Sequence, residues 1–226
     1  MRVFVCVLSH DGEAKEFDRV YEAIINATFP ELRRIPSIKL IWLEQGASVN
    51  FSFNCGDVLK WFSTNNVGCA MGRQRIIDSL ILVEKLKPDD LVIFLDDDIQ
   101  FLATTWLQDF MNASLSYDVM GVEAMKLLAN YTTAPIVEGE ELDYLSGGWC
   151  GWRGYVLLDG VQFDRNYHTY FEDVDMCLQA TAKGYRIGQV VTQALGHESH
   201  MTPLKMALYE QSKAYFIKKW QNQGLK

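Results

Sequence analysis

The chain has 226 residues, a formal net charge of -8 and 49% hydrophobic residues, enough for one α/β domain with a sizeable core and against disorder. The acidic balance leaves no basic footprint for nucleic acid, so no nucleic-acid partner is expected. The cysteines Cys6, Cys55, Cys69, Cys150 and Cys177 are scattered without a C-x-x-C pair, which speaks against a zinc site or a disulfide framework and for a reducing, cytoplasmic setting. The apolar stretch Met1–Leu8 is too short for a signal peptide, and no run approaches membrane-spanning length. In such a setting the Asn-X-Ser/Thr sequons at Asn26, Asn50, Asn112 and Asn130 read as chance. Lys213, Lys218, Lys219 and Lys226 gather near the C-terminus. A solvated helix face is the plainer reading of that cluster, and peripheral contact with a membrane surface is the alternative.

In chain order, Val3–Leu8 reads as a strand and Glu16–Ala27 as a helix with apolar residues at helical spacing. Ser37–Leu43 is a second strand, closed by Glu44-Gln45-Gly46, and Arg73–Leu86 is a helix. Leu91–Leu95 is the most apolar short run and predicts a buried parallel strand. Trp106–Leu115 is expected to be helical and Asp118–Ala124 a strand, with Leu127–Leu142 a loop or hairpin. Ser146–Trp152 is rich in Gly and Trp; its glycines allow close backbone approach and its indoles offer flat apolar faces. Phe171–Lys183 is a helix capped by Gly184, Arg186–Val191 a late strand, and Leu204–Trp220 an amphipathic terminal helix. The β-α-β alternation of the first hundred residues is a doubly wound nucleotide-binding pattern. Neither GxGxxG nor GxxxxGK[ST] is present, which weakens dinucleotide and P-loop readings. Residues 1–226 read as a single domain, with 1–100 the nucleotide-binding half and 101–226 the acceptor-binding half and C-terminal helix.

Four local features carry chemistry. Asp96-Asp97-Asp98 ends the buried strand, where open α/β sheets bind ligands, and a hard divalent cation would relieve the repulsion. Glu172-Asp173 opens a helix; either acid is also a plain N-terminal cap. His197 follows a strand in a chain already holding an acidic cluster, which suits a metal ligand. Asn66–Arg75 places glycines and arginines where backbone and guanidinium can approach phosphate.

The ordered set resembles the GT-A fold glycosyltransferases of the large family 2 type, from Val3 to Trp220. Asn66-Val67-Gly68 through Gly72-Arg73-Gln74 resembles that family's glycine-containing stretch, with Gln74 where Asn is usual. Phe94-Leu95-Asp96-Asp97-Asp98-Ile99 resembles its DxD segment, and Tyr144-Leu145-Ser146-Gly147-Gly148 its acceptor-side loop. Phe163-Asp164 and Phe171–Leu178, followed by Gly184-Tyr185-Arg186-Ile187, resemble its ED block, with Gln179 in place of an arginine.

The resemblance implies a GT-A fold: one doubly wound, Rossmann-like mixed sheet flanked by helices. It implies inverting, metal-dependent transfer from a nucleoside-diphosphate sugar (UDP-, GDP- or dTDP-linked) to a hydroxyl of a glycan or glycoconjugate acceptor. Asp98 would bind Mn²⁺ or Mg²⁺, with Asp96 assisting and His197 completing the protein ligands. Ser9, His10, Glu44, Arg73, Asp96 and Asp97 would contact the nucleotide sugar. Asp173 would be the base and Glu172 would orient the acceptor, with Gly147, Gly148, Trp149 and Trp152 along the acceptor. A retaining GT-A enzyme, a nucleotidyltransferase acting on sugar phosphates and a non-catalytic nucleotide-sugar-binding module are the alternatives.

Overall fold

The computed structural model describes residues 1–10, 37–46, 51–55, 58–63, 65–97, 99–101, 105–137, 140–192, 194–195 and 202–221. The expected helix Glu16–Ala27, Asp98 and His197 lie outside the described residues.

Among the described residues, eight strands form the main sheet: β1 (Val3–His10), β2 (Ile38–Gln45), β3 (Phe51–Cys55), β4 (Val58–Ser63), β5 (Leu91–Asp96), β7 (Val119–Gly121), β11 (Trp149–Arg153) and β12 (Ile187–Gln189). The smaller strands are β6 (Gln100–Phe101), β8 (Ala124–Leu127), β9 (Thr133–Pro135), β10 (Tyr144–Leu145) and β13 (Ala194–Leu195). The described helices are α1 (Gly68–Leu82), α2 (Trp106–Ala113), α3 (Gly154–Leu158), α4 (Glu172–Ala182) and α5 (Pro203–Gln221). The main sheet runs β12-β7-β11-β5-β1-β2-β4-β3. Its centre, β5-β1-β2-β4, is parallel. β11 lies antiparallel between β5 and β7, and β3 closes the far edge antiparallel to β4.

The apolar run predicted as a buried strand is β5, and Leu91 to Leu95 are all 1% exposed or less. Full burial on both faces is why it reads as a continuous rather than alternating pattern. On one face Phe4, Leu8, Ile41, Val92 and Phe94 pack with Ile76 and Leu80 of α1 and Val174 of α4. On the other, Val5, Val7, Trp42, Ile93 and Leu95 pack with Trp106 and Phe110 of α2. Each such large side chain contributes about 1.5–3 kcal/mol when fully buried. From β1 the chain turns to β2 on one side and returns through α1 to β5 on the other. A reversal of this kind opens a crevice beyond the carboxyl ends of the strands, here beside Ser9 and Asp96.

Two parts add to the sequence expectation. Residues 51–55 and 58–63 pair antiparallel as β3 and β4, which the mixed polar pattern there does not announce. In the Gly- and Trp-rich segment, to which the sequence assigned no element, Trp149–Arg153 is β11 inside the sheet. In the region 127–142, expected to be a loop or hairpin, β9 pairs antiparallel with β8, and β8 pairs in turn with β10, as a separate three-stranded sheet.

Helix α5 is tied down by Asp175, which is fully buried. Its carboxylate accepts from Trp220 Nε1 at 2.7 Å and Gln179 Nε2 at 2.7 Å, and pairs with Lys219 Nζ at 2.8 Å. Ser212, Phe216 and Trp220 are the buried stripe of α5, and Phe216 packs on Phe171 with ring centres 5.1 Å apart. Removing one partner of a buried ion pair leaves the other uncompensated, at a cost of about 3–5 kcal/mol. Asp175→Ala is therefore expected to lose about 3 kcal/mol in urea unfolding; a change under about 0.5 kcal/mol would show that α5 is held without it.

Candidate active site

The site begins with how α1 starts. Gly68 has a left-handed φ of 83°, and a Cβ there would lie 2.1 Å from the His168 carbonyl oxygen, so only glycine fits. The first helical N–H groups find acceptors: Gly68 N donates to Asn66 Oδ1 at 2.9 Å and Cys69 N to the His168 carbonyl at 2.7 Å. The Gln45 side chain accepts from Val67 N at 2.9 Å. So pinned, α1 projects Arg73 into the crevice at the end of β5. The unusual Gln74 has a packing role: it accepts from Phe163 N at 2.9 Å and donates to Asp78 at 2.8 Å.

Arg73 is 2% exposed and joins two carboxylates. Its Nη2 lies 2.5 Å from Asp96 Oδ1 and its Nη1 3.3 Å from Glu172 Oε1. The side chain expected to contact the nucleotide is thus a strut between β5 and α4 that also lines the cavity described below. Gly147 N donates to Asp173 Oδ2 at 3.0 Å, and Val174 N to Asp173 Oδ1 at 2.8 Å. Asp96 N donates to the Gly148 carbonyl at 2.9 Å, so the Gly147-Gly148 turn touches both acidic centres. A Cβ at Gly147 would sit 2.5 Å from Arg73 Nη1, and one at Gly148 2.9 Å from Asp96 Oδ2.

Tyr170 and Phe171, immediately before the ED pair, both hold left-handed backbone, with φ of 64° and 63°. Non-glycine residues there cost on the order of 1–3 kcal/mol each and persist only where packing dictates them. Here Phe171 is locked against Phe216 and Tyr209, and the strain delivers Glu172 and Asp173 to the crevice.

These residues line a cavity of about 480 Å³. Arg73 comes to it from α1, Asp96 from β5 and Gly147 and Gly148 from the turn before β11, while Met125, Thr133 and Tyr144 come from the small sheet and Lys205 and Tyr209 from α5. Burial pushes the Glu172 carboxyl up to about 8, and Asp173 adds to this against Arg73. Burial also raises Asp173, but the Gly147 and Val174 N–H groups pull it back. The pair therefore holds a proton more tightly than two free carboxyl groups would. Glu172 loses its proton near 4.5 when unfolded and near 8 when folded. This contribution to stability is complete below 4.5 and is lost as pH rises through 8. Urea midpoints are expected to fall over that window, and Glu172→Gln to flatten the fall; an identical slope in that variant would contradict the assignment.

The remaining sequence-predicted residues divide clearly. Ser9 and Glu44 end β1 and β2 at the same sheet edge, but strand alternation puts them on the face opposite Asp96. Glu44 is buried and pairs with Lys60 Nζ at 3.4 Å. His10 ends β1, and Asp97 follows β5, half-buried. Gly147 and Gly148 line the cavity. Trp149 and Trp152 do not: they are 3% and 1% exposed. Trp149 stacks on Phe110 and Trp152 Nε1 donates to Cys150 Sγ, so the indoles are core residues and the expected acceptor contact is corrected. The aromatic surface of the cavity comes instead from Tyr144, Tyr170, Phe171 and Tyr209, which the sequence reading did not single out. Tyr170 adjoins the ED pair and was findable there, whereas Tyr209 carries no local signal.

No family model matches the sequence, and no curated protein matches it. Among solved structures the fold is similar to a 4-diphosphocytidyl-2C-methyl-D-erythritol synthase, at 11% identity over 95% of this chain and 99% of that one, TM-score 0.52. It is similar to a Drosophila galactosyltransferase mutant solved with manganese, UDP-Gal and xylobiose, at 8% identity over 92% of this chain and 79% of that one, TM-score 0.51. The synthase of Anaerococcus prevotii aligns at 10% identity over 95% of this chain and 98% of that one, TM-score 0.50. The chain has a GT-A-like, Rossmann-related fold, a scaffold of nucleotidyl and glycosyl transfer enzymes.

Proposed function

We propose that this protein is a metal-dependent inverting glycosyltransferase that moves a sugar from a nucleoside-diphosphate sugar to an acceptor hydroxyl. The carrying observation is that one cavity is lined by Asp173, held by two backbone N–H groups, and by Asp96, which Arg73 joins to Glu172 beside that base. The acceptor oxygen attacks the sugar's anomeric carbon, and the bond from that carbon to the β-phosphate oxygen breaks. The nucleoside diphosphate departs, and the hydroxyl proton passes to Asp173. Placement of base and hydroxyl at near-attack distance supplies much of the rate. Glu172, protonated and buried beside the base, withholds a second negative charge from the acceptor side.

For the metal, the side chain of Asp96 is 29% exposed, and the room beside its Oδ2 exists only because Gly148 has no Cβ. Among the described residues no three His, Cys, Asp or Glu side chains form a metal-binding group. Carboxylate oxygens with an imidazole suit Mn²⁺ or Mg²⁺, so Asp96, Asp98 and His197 would hold the ion. When bound it would offset charge developing on the leaving diphosphate. Glu44, Ser9, His10 and Asp97 complete the proposed donor end, at the strand edge.

A thermal-shift screen of UDP-, GDP- and dTDP-sugars with and without Mn²⁺ tests the donor class. Product anomericity tests inversion, and pyrophosphate release from a nucleoside triphosphate and a sugar phosphate would replace the reading with nucleotidyl transfer. Asp98→Ala is expected to weaken Mn²⁺-dependent nucleotide binding by about tenfold or more, or 1.4 kcal/mol, in calorimetry. An unchanged affinity for the nucleotide that binds wild type would remove Asp98 from the metal site.

A further inference from the structure

Resting on the transferase reading, we infer that the acceptor is a neutral, hydroxyl-rich glycoside whose ring lies on an aromatic corner formed by Tyr170 and Tyr209. The two rings come from elements far apart in sequence and meet edge to face, with centres 5.6 Å apart and planes at 73°. Tyr209 also leans on Phe171 at 5.3 Å, so the corner is backed by the residue that leads into Glu172-Asp173. Both tyrosines line the cavity and are only half-buried, unlike Trp149 and Trp152. The corner is built from α5 and the segment leading into α4, whereas Asp96, the proposed donor end, belongs to β5. A ligand there has one side over the aromatic faces and its hydroxyls within the space bounded by Asp173.

The class of ligand follows from what surrounds the corner. Aromatic faces carry negative charge density and favour the weakly positive C–H side of a sugar ring. Glu123, Thr133, Tyr144 and Ser146 ring the same space with carboxylate and hydroxyl groups, which can accept from and donate to sugar hydroxyls. Among the described residues the cavity is lined by four carboxyl groups, Asp96, Glu123, Glu172 and Asp173, and two cationic side chains, Arg73 and Lys205. Arg73 is already engaged by Asp96 and Glu172. A uronate or phosphate on the acceptor would meet Asp96, Glu123 and Asp173, with Lys205 as the cation that the Asp96 and Glu172 pairs leave among the described residues, so like-charge repulsion selects against it.

The test is direct binding, without any need to know the donor. Saturation-transfer NMR and calorimetry are run with lactose, cellobiose and maltose, and with glucuronate and glucose phosphate, each in the presence and absence of UDP and GDP. At least one neutral disaccharide is expected to bind and the anionic probes to bind at least tenfold more weakly. Tyr170→Leu and Tyr209→Leu keep apolar bulk but lose the flat face, and are expected to lower that affinity about tenfold. Tyr170→Phe, which keeps the ring, is expected to stay within about twofold. Melting curves confirm that each variant is folded. No binding by any neutral disaccharide, equal binding of the anionic probes, or wild-type affinity in both leucine variants would overturn the inference. Nucleotide-sugar binding is measured separately on the same samples. Its absence in wild type would defeat the transferase reading, whereas its survival beside a failed acceptor result would defeat the aromatic corner alone.

Discussion

Asp173→Asn is expected to reduce sugar transfer by about three orders of magnitude while nucleotide-sugar affinity stays within about twofold. The reason lies in how the carboxylate is held. Gly147 N and Val174 N donate to its two oxygens at 3.0 and 2.8 Å and so orient the carboxylate, while burial raises its proton affinity in spite of them. The raised affinity favours uptake of the hydroxyl proton, and fixed placement adds to it. An amide has the same shape but no proton affinity. It also turns an NH₂ toward one of those N–H donors, so a small loss of order in the Gly147 turn accompanies the loss of chemistry. Donor binding depends on the Asp96 end and is therefore spared. Steady-state transfer and calorimetry with the donor found by screening make the comparison, and near wild-type turnover would assign the base elsewhere.

Arg73→Lys is expected to be nearly as damaging, and it damages stability as well. The guanidinium reaches Asp96 with one nitrogen and Glu172 with the other. A lysine offers one compact charge and cannot span both. If it keeps Asp96, whose side chain is 29% exposed, the buried Glu172 loses its partner among acids, at a cost of about 3 kcal/mol. Unfolding by urea is expected to shift by that amount, and transfer to fall about a hundredfold because Asp96 and the ED helix lose their common support. Arg73→Met should be worse on both measures. A lysine variant with wild-type stability and turnover would show the strut to be dispensable.

Much of this architecture was readable from the chain. Strands β1, β2 and β5 announce themselves because both of their faces are buried, leaving unbroken apolar runs. Helices α1, α4 and α5 show apolar residues at helical spacing because one side of each packs on the sheet or on another helix. The β3–β4 pair did not show, since Asn54 and Lys60 interrupt the apolar pattern of its strands. Strand β11 was obscured because Gly148 and Gly151 look like turn residues, though Gly151 sits in a strand against Phe110. Of the site, the acidic clusters were legible as local motifs. The link between them was not, because Arg73 and Glu172 are 99 residues apart and either could have faced solvent. The tryptophans misled for a chemical reason: an indole serves a core and a sugar surface equally well, and only packing tells which.

The hydrogen bond from Asp96 N to the Gly148 carbonyl has a consequence for adaptability. It joins β5 to the turn that enters β11, so the acidic centre and its glycine turn belong to one continuous sheet. Other parts of the cavity lining come from the small β8–β9–β10 sheet and from α5. The molecule is thus divided into a chassis that fixes reactive groups and an interchangeable face. On the proposed reading, exchange of segment 124–135, or of the first turns of α5, is expected to change the acceptor while the chassis stays as it is.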